Sequence, residues 1–210
     1  MIDYINSFYK KVKFRLLLIF QKDMIIPDYE FKRAEISKYI KEYNLKVLVE
    51  TGTFQGDTVE YFKDMIPQIF SIELSDDFAA NAKKRFSSSA NVTIIQGDSG
   101  DILNHLVKEI NQPTIFWLDG HYSSEFYIGD KYFITAKGKL NTPIISELTA
   151  ILKSDLSHVI LIDDARLFVG RDDYPSVKQM RKFIRRTNNN YSLNISDDII
   201  YILPNATASA

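Results

Sequence analysis

Short hydrophobic runs alternate with helix-length segments over most of this chain. Continuous apolar strands separated by helices are typical of a parallel sheet that is covered on both faces. The pattern therefore predicts an α/β protein with five parallel strands. The predicted strands are 47–50, 69–73, 92–95, 114–118 and 159–162, and the predicted helices between them are 58–65, 76–86, 101–110 and 143–153.

The end of the chain follows a different pattern. Two further β-rich runs, 191–195 and 199–203, are separated by only a few residues around Asp197. That gap is too short for a crossover helix, so the two runs are predicted to pair as an antiparallel hairpin. The predicted fold is thus a doubly wound, mostly parallel, seven-stranded sheet that closes with a C-terminal hairpin.

The first residues form a helical leader in this interpretation. Residues 1–22 are basic and aromatic, and their apolar positions recur three and four apart. Such a helix can lie on an anionic membrane surface or form a dimer, but packing across the domain is favoured. Pro27 ends the leader, and a second helix is predicted from Tyr29 to Tyr43, with Asn44 as its C-cap. The predicted organisation is a leader at 1–28, a domain at 29–204 and a loose tail at 205–210.

Composition narrows the classes of function. The length of 210 residues suits one domain, and the absence of cysteine excludes disulfides, thiolate nucleophiles and cysteine-ligated metals. The absence of cysteine also fits a reducing compartment, so a cytoplasmic location is predicted. With a net charge of −1, the protein has no overall electrostatic field that would attract or repel nucleic acid. The apolar run 16–20 is far shorter than the roughly 20 residues that span a bilayer.

In sheets of this kind the ligand binds at the carboxyl ends of the strands. The first strand ends in Glu50-Thr51-Gly52-Thr53-Phe54-Gln55-Gly56-Asp57-Thr58. Its two glycines allow a tight turn and close approach of a ligand, and the next helix offers free N–H groups. No Gly-Lys-Ser/Thr follows, which excludes a P-loop. The alternative is an ordinary strand-to-helix turn.

The second and third strands end in acidic residues. Glu73 lies about 20 residues past Gly52, where a carboxylate usually holds a ribose diol. The alternative is a solvated carboxylate. The third strand runs into Gly97-Asp98-Ser99, where Asp98 can accept from an adenine amino group. Asp98 or Ser99 can equally cap the following helix, and both roles can hold.

The fourth and fifth strands bring more carboxylates. Asp119 and His121 follow the fourth strand, and Asp163 and Asp164 follow the fifth. If these strands are neighbours, three carboxylates converge and repel one another unless they share a cation or a proton. Oxygen ligands favour Mg²⁺ or a similar hard ion. The alternative is that Asp163 caps a turn and Arg166 pairs with Asp164.

His121 is a candidate general base, because an ordinary histidine pKa of about 6.5 suits proton removal near neutrality. The long segment 122–142 is a candidate lid, with aromatic and charged residues that suit a sugar or phenolic ring. A surface hairpin is an equally favoured alternative for that segment.

These residues together resemble the binding motifs of class I S-adenosylmethionine-dependent methyltransferases over roughly 29–204. The resemblance implies that Glu50, Gly52 and Gly56 shape the methionine end of the pocket, that Glu73 holds the ribose and that Asp98 holds the adenine. The middle glycine of the commonest class I glycine motif is absent from this sequence, as it is from catechol-type enzymes. The full set of cofactor-binding residues that we assign on this basis is Glu50, Thr51, Gly52, Thr53, Gly56, Thr58, Glu73, Gly97, Asp98, Ser99 and Asp119.

The second cluster resembles the divalent-metal site of catechol-type and macrocin-type sugar O-methyltransferases. Asp119, Asp163 and Asp164 would then ligate Mg²⁺ or Mn²⁺, with Asp119 and His121 as the catalytic residues. The Asp-Asp pair is closer to the macrocin type, and no lysine clearly matches the catechol-type base, for which Lys137 is a remote candidate.

The implied function is an S-adenosylmethionine-dependent O-methyltransferase that acts on a hydroxyl of a small molecule or glycan. Two alternatives stay open. One is a relative on the same fold with hydroxylase-like or aminopropyl-transfer chemistry, and the other is a non-catalytic nucleotide-binding protein.

Overall fold

The computed structural model describes residues 27–122, 125–128 and 130–205. The predicted leader helix at 1–22 lies outside the described residues, and so do residues 206–210 of the predicted tail. Asn205 does not belong to a loose tail. Its backbone N–H donates to the carbonyl of Asn190 at 2.6 Å, and its side chain donates to the carbonyl of Asn189 at 3.0 Å.

A seven-stranded sheet forms the centre of the molecule. Its strands are β1 Val47–Thr51, β2 Gln68–Glu73, β3 Val92–Gln96, β4 Ile115–Leu118, β7 Val159–Ile162, β8 Tyr191–Ser196 and β9 Ile199–Pro204. They lie in the order β3-β2-β1-β4-β7-β9-β8. The first five strands in that order are parallel, and β9 pairs antiparallel with both β7 and β8. This confirms the predicted fold class and its C-terminal hairpin.

Helices cover both faces of the sheet. They are α1 Tyr29–Glu42, α2 Asp57–Phe62, α3 Asp76–Arg85, α4 Ser99–Glu109, α5 Ile144–Leu152 and α6 Val177–Thr187. Apolar side chains of α1, α2 and α3 form one core cluster with the sheet, and those of α4, α5 and α6 form the other. Among the described residues, no helix combines the length and the apolar character needed to cross a bilayer.

Local capping explains several helix boundaries. Asp28 accepts from the backbone N–H of Phe31 at 2.8 Å and begins α1, while Asn44 takes a φ of 50° just past its end. Helix α4 begins at Ser99, two residues earlier than predicted, because Asp98 caps it. Helix α2 ends at Phe62, earlier than the predicted residue 65.

One helix was not predicted, and one predicted alternative is found. Helix α6 begins with a capping box between Ser176 and Gln179, and it buries Met180 and Ile184. In the segment 122–142, strands β5 Glu125–Ile128 and β6 Lys131–Ile134 form a separate antiparallel pair, so the hairpin alternative describes that segment.

Candidate functional site

A cavity of ≈ 370 Å³ opens at the carboxyl ends of β1 to β4. This volume is within the usual range for small-molecule sites. The loops after these four strands form its walls, and the segment 135–141 also contributes lining residues. The predicted site residues on the wall are Gly52, Glu73, Gly97, Asp98, Ser99, Asp119 and His121.

Gly52 joins the loops after β1 and β4. Its φ is +86°, and a Cβ atom there would lie 2.4 Å from the carbonyl oxygen of Asp119. Its N–H donates to the carbonyl of Ile72 at 2.9 Å, which ties the same loop to β2. Only glycine fits this backbone conformation and this close contact without strain. The loop is therefore rigid where it borders the cavity.

The other predicted residues of this motif do not line the cavity, and their predicted role in cofactor binding stays a prediction. Glu50 is 2% exposed and accepts from the hydroxyl of Ser71 at 2.6 Å. The same hydroxyl lies 2.6 Å from that of Thr53. Burial raises the pKa of Glu50 to about 7. These residues support the glycine loop from beneath. Absent from the wall are Glu50, Thr51, Thr53, Gly56 and Thr58.

Glu73 is held in a fixed orientation on the wall. Its Oε2 accepts the N–H of Phe54 at 2.8 Å, and its Oε1 accepts the N–H of Ser75 at 2.8 Å. The residue is only 7% exposed, so it is not a freely solvated carboxylate. Each carboxylate oxygen has a second lone pair. Glu73 can therefore keep both amide contacts and still accept from two neighbouring hydroxyls.

Asp98 has the predicted capping role, and its predicted contact with an adenine amino group stays a prediction. Its Oδ1 accepts the N–H of Gly100 at 2.9 Å and so caps α4. A Cβ atom on Gly138 would lie 3.4 Å from its Oδ2, which shows how closely the segment 135–141 approaches this side of the cavity. Asp98 and Glu73 are thus two acceptor groups on adjacent strand ends.

His121 borders the cavity beyond β4. Its Nδ1 lies 3.1 Å from the hydroxyl of Thr142, and its Nε2 has no partner among the described residues. Burial lowers the pKa of His121 to about 4, so the ring is neutral at pH 7 and a weaker base than an exposed histidine. Burial also raises the pKa of Asp119 well above its ordinary value, and Asp163 and Asp164 add to that rise. Lys137 is exposed, with its ammonium 5.2 Å from the ring centroid of Tyr122.

The strand ends of β4 and β7 are neighbours, as predicted. The two carboxylates at the end of β7 have cationic partners. The ammonium of Lys32 lies 2.5 Å from Oδ2 of Asp163, whose Oδ1 accepts the N–H of Asp164 at 2.8 Å. Arg166 pairs with Asp164 at 2.8 Å and also contacts Asp198. The predicted alternative, in which Arg166 pairs with Asp164, is the arrangement that the structure shows.

The arrangement does not fit a divalent metal ion. Within the described part of the chain, no three histidine or acidic side chains are grouped so that they could hold one. Asp163 has a cation on one oxygen and a backbone amide on the other. The predicted metal ligation by Asp119, Asp163 and Asp164 is therefore not confirmed.

Two residues near the site were missed from the sequence. Lys32 is 131 positions from its partner Asp163, and no local pattern connects them. Glu147, on α5, is completely buried and accepts from the hydroxyl of Ser99 at 2.7 Å. Its Oε2 has no partner among the described residues, and burial raises its pKa to about 7. Glu147 is the one charged residue within α5, and this isolated charge in the sequence could have identified it as a candidate.

Comparison with known proteins supports the fold. An O-methyltransferase of Bacillus cereus in complex with S-adenosylhomocysteine is 14% identical, with a TM-score of 0.54 over 90% of this chain and 89% of that one. A Staphylococcus aureus protein provisionally assigned as a caffeoyl-CoA O-methyltransferase is 15% identical, with a TM-score of 0.52 over 96% and 98% of the two chains.

The fold also occurs with other acceptors. A Clostridium thermocellum protein provisionally assigned as an rRNA methylase is 13% identical, with a TM-score of 0.52 over 81% of this chain and 96% of that one. No protein-family model matches the sequence, and no curated protein sequence matches it. The chain therefore has the Rossmann-like methyltransferase fold, and its activity has to be argued from its own residues.

Proposed function

We propose that this protein is an S-adenosylmethionine-dependent O-methyltransferase that acts on a hydroxyl of a small molecule or sugar. The observation that carries the proposal is the pair of carboxylates Glu73 and Asp98, at adjacent strand ends on the wall of one cavity. Their side chains are fixed by backbone amides and can still accept from a ligand. A nucleoside offers matching donors, namely two ribose hydroxyls and an adenine amino group.

Binding is assigned as follows. Glu73 accepts from the ribose hydroxyls, and Asp98 accepts from the adenine amino group. Gly52 lets the backbone approach the methionine end, because no side chain intervenes there. Phe54 and Phe78 border the same cavity, with ring centroids 5.0 Å apart, and provide apolar surface beside the nucleoside.

When bound, S-adenosylmethionine supplies a methyl group that its sulfonium makes electrophilic. The task of the protein is then to align an acceptor oxygen and to exclude water. Asp119 and His121 lie on the wall beyond Gly52 and are the candidates for taking the hydroxyl proton. Segment 135–141 also lines the cavity. No step of this proposal requires a metal ion.

Calorimetric titration with S-adenosylhomocysteine, followed by a transfer assay with radiolabelled S-adenosylmethionine against sugars and phenols, tests the proposal. Saturable binding and a labelled product are expected. Binding without any product, together with product from decarboxylated S-adenosylmethionine, would favour the aminopropyl-transfer alternative. Binding with no turnover of either compound would favour a non-catalytic nucleotide-binding protein. Absence of binding would overturn the cofactor assignment.

Three further expectations stay predictions: a cytoplasmic location, peripheral membrane contact through residues 1–22, and a homodimer. Liposome flotation of the full chain and of a chain lacking residues 1–22 separates membrane contact from packing. Equal behaviour of the two chains would rule out the membrane role.

A further inference from the structure

The ion pair between Lys32 and Asp163 stands where the sequence predicts a divalent metal. We propose that the Lys32 ammonium group replaces that metal, acting as the built-in counter-ion of Asp119, Asp163 and Asp164 and making the site independent of divalent cations. Lys32 does not line the cavity, so it is a positioning residue rather than a catalytic one. Only the kinetic part of the test below rests on the proposed function.

The position of Lys32 is fixed by the packing of α1. Ile36 and Tyr39 of this helix are buried in the core, and Glu35 accepts from the hydroxyl of Tyr201 on β9 at 3.0 Å. The side chain of Lys32 is 14% exposed, and that of Asp163 is 3% exposed. A contact with both partners so well buried is not a loose surface pair, because little water is available to screen it.

Electrostatics keeps Lys32 charged. Burial by itself lowers the pKa of Lys32, but Asp163 outweighs that effect, with further contributions from Asp119 and Asp164, and the pKa ends above its ordinary value. The ammonium is thus positive throughout the neutral range. Lys32 pairs with Asp163 and Arg166 pairs with Asp164, so two cationic side chains contact the cluster in which a divalent ion is predicted.

The donor atoms suit an ammonium better than a metal. A lysine ammonium donates three hydrogen bonds, whereas Mg²⁺ requires near-octahedral oxygen ligands at about 2.0–2.1 Å. A divalent ion on Asp163 Oδ2 would lie beside the Lys32 ammonium, and the two cations would repel each other strongly in this buried position. A divalent ion would have to displace Lys32 and leave its charge without a partner inside the protein, which is strongly unfavourable.

Titration of the full chain with Mn²⁺, with free ion followed by electron paramagnetic resonance, tests the replacement without any activity measurement. We expect no bound Mn²⁺ in the wild type and stoichiometric binding in Lys32→Ala, lost again when Asp163→Asn is added. Lys38→Ala is the matched control, because Lys38 lies on the same helix and pairs with the more exposed Glu35. It should behave as wild type.

Two outcomes would overturn the inference. One is wild-type Mn²⁺ binding that Asp163→Asn abolishes. The other is a folded Lys32→Ala variant, checked by circular dichroism, that binds no Mn²⁺. If Lys32→Ala does not fold, Lys32→Met, which keeps the apolar stem, takes its place under the same criteria.

The kinetic part uses the methyl-transfer assay. Exhaustive EDTA treatment should leave the wild-type rate unchanged, whereas Lys32→Ala should lower kcat at least about tenfold with little change in KM for S-adenosylmethionine. Mn²⁺ should restore part of that loss. Loss of wild-type activity in EDTA, recovered with Mg²⁺, would refute the replacement and leave the methyltransferase proposal intact. An inactive wild type would refute the proposed function and leave the Mn²⁺ result standing.

Discussion

The two sides of the site hold their carboxylates in different ways. At the ends of β2 and β3, Glu73 and Asp98 accept hydrogen bonds from nearby backbone amides. At the end of β7, Asp163 and Asp164 instead pair with the cationic side chains of Lys32 and Arg166. The first side has acceptors that are fixed but not neutralised. The second has carboxylates whose charge is largely balanced.

This difference matches different tasks. A carboxylate fixed by amides can still accept from the neutral hydroxyl and amino groups of a nucleoside. A carboxylate beside an ammonium is less available to a ligand and serves instead to set the local charge. Under the proposed function, the side with Glu73 and Asp98, here called the nucleoside side, would recognise the ligand, and the β4–β7 side would set the electrostatics where an acceptor hydroxyl enters.

The largest expected effect comes from the residue that joins the two sides. Gly52→Ala forces a Cβ atom to within 2.4 Å of the Asp119 carbonyl oxygen at a φ of +86°. We expect a loss of about 2–4 kcal/mol in the free energy of unfolding, from backbone strain plus overpacking. Binding of S-adenosylhomocysteine should fall below detection. Urea unfolding and calorimetry measure the two effects.

Gly170→Ala is the matched control for that substitution. Gly170 has a φ of +82°, but the nearest atom to its added Cβ, in Ser176, lies 3.4 Å away. We expect only the strain cost of about 1–2 kcal/mol and unchanged ligand affinity. Equal effects of the two substitutions would show that the contact between the β1 and β4 loops is unimportant.

Glu73→Ala sharpens the assignment of the nucleoside side. Loss of charge-assisted hydrogen bonds worth roughly 1.5–3 kcal/mol should weaken S-adenosylhomocysteine binding at least about tenfold. Stability should fall by about 1–3 kcal/mol as well, because the N–H groups of Phe54 and Ser75 lose their acceptor. Calorimetric titration below the unfolding transition separates the two effects.

The control is Asp77→Ala, an exposed carboxylate in the first turn of α3. It removes the same charge close by without touching the cavity wall, so affinity should stay near the wild-type value. If Asp77→Ala weakens binding as much as Glu73→Ala does, the effect comes from general charge and not from a specific ribose contact.

Glu147→Gln tests the buried carboxyl group between α5 and α4. Burial raises the pKa of Glu147 to about 7, so the folded state holds this proton more tightly than the unfolded state does. Its contribution to stability is therefore present at pH below about 4.5 and is lost as the pH rises through about 7. Between pH 5 and pH 8 the wild type should lose about 2–3 kcal/mol more stability than the variant.

Chemical unfolding of both proteins at both pH values measures this difference. Any effect of the glutamine amide that does not depend on pH cancels in the comparison. The exposed Glu42→Gln on α1 is the control, and its pH dependence should match that of the wild type. An identical pH dependence for Glu147→Gln would mean that Glu147 is already ionised at pH 5.

The strands and the acidic residues at their ends could be predicted from the sequence, because both depend on residues that are neighbours along the chain. Apolar runs predicted the parallel strands, and the short gap at Asp197 predicted the hairpin. The acidic strand ends predicted Glu73 and Asp98, both of which lie on the cavity wall. The burial of Glu50 and its contact with the Ser71 hydroxyl could not be predicted, because a carboxylate near a strand end has the same spacing along the chain whichever way it faces.

What the sequence determined by itself is the α/β fold, the hairpin and the acceptor groups of the nucleoside side, since spacing along a strand and a turn is a local property. Tertiary structure alone decided the charge partners at β4 and β7. Lys32 meets Asp163 only because α1 packs against the sheet beside the carboxyl ends of these strands. The three acidic residues considered without that lysine predict a metal site, whereas the folded chain pairs Asp163 with Lys32 and Asp164 with Arg166.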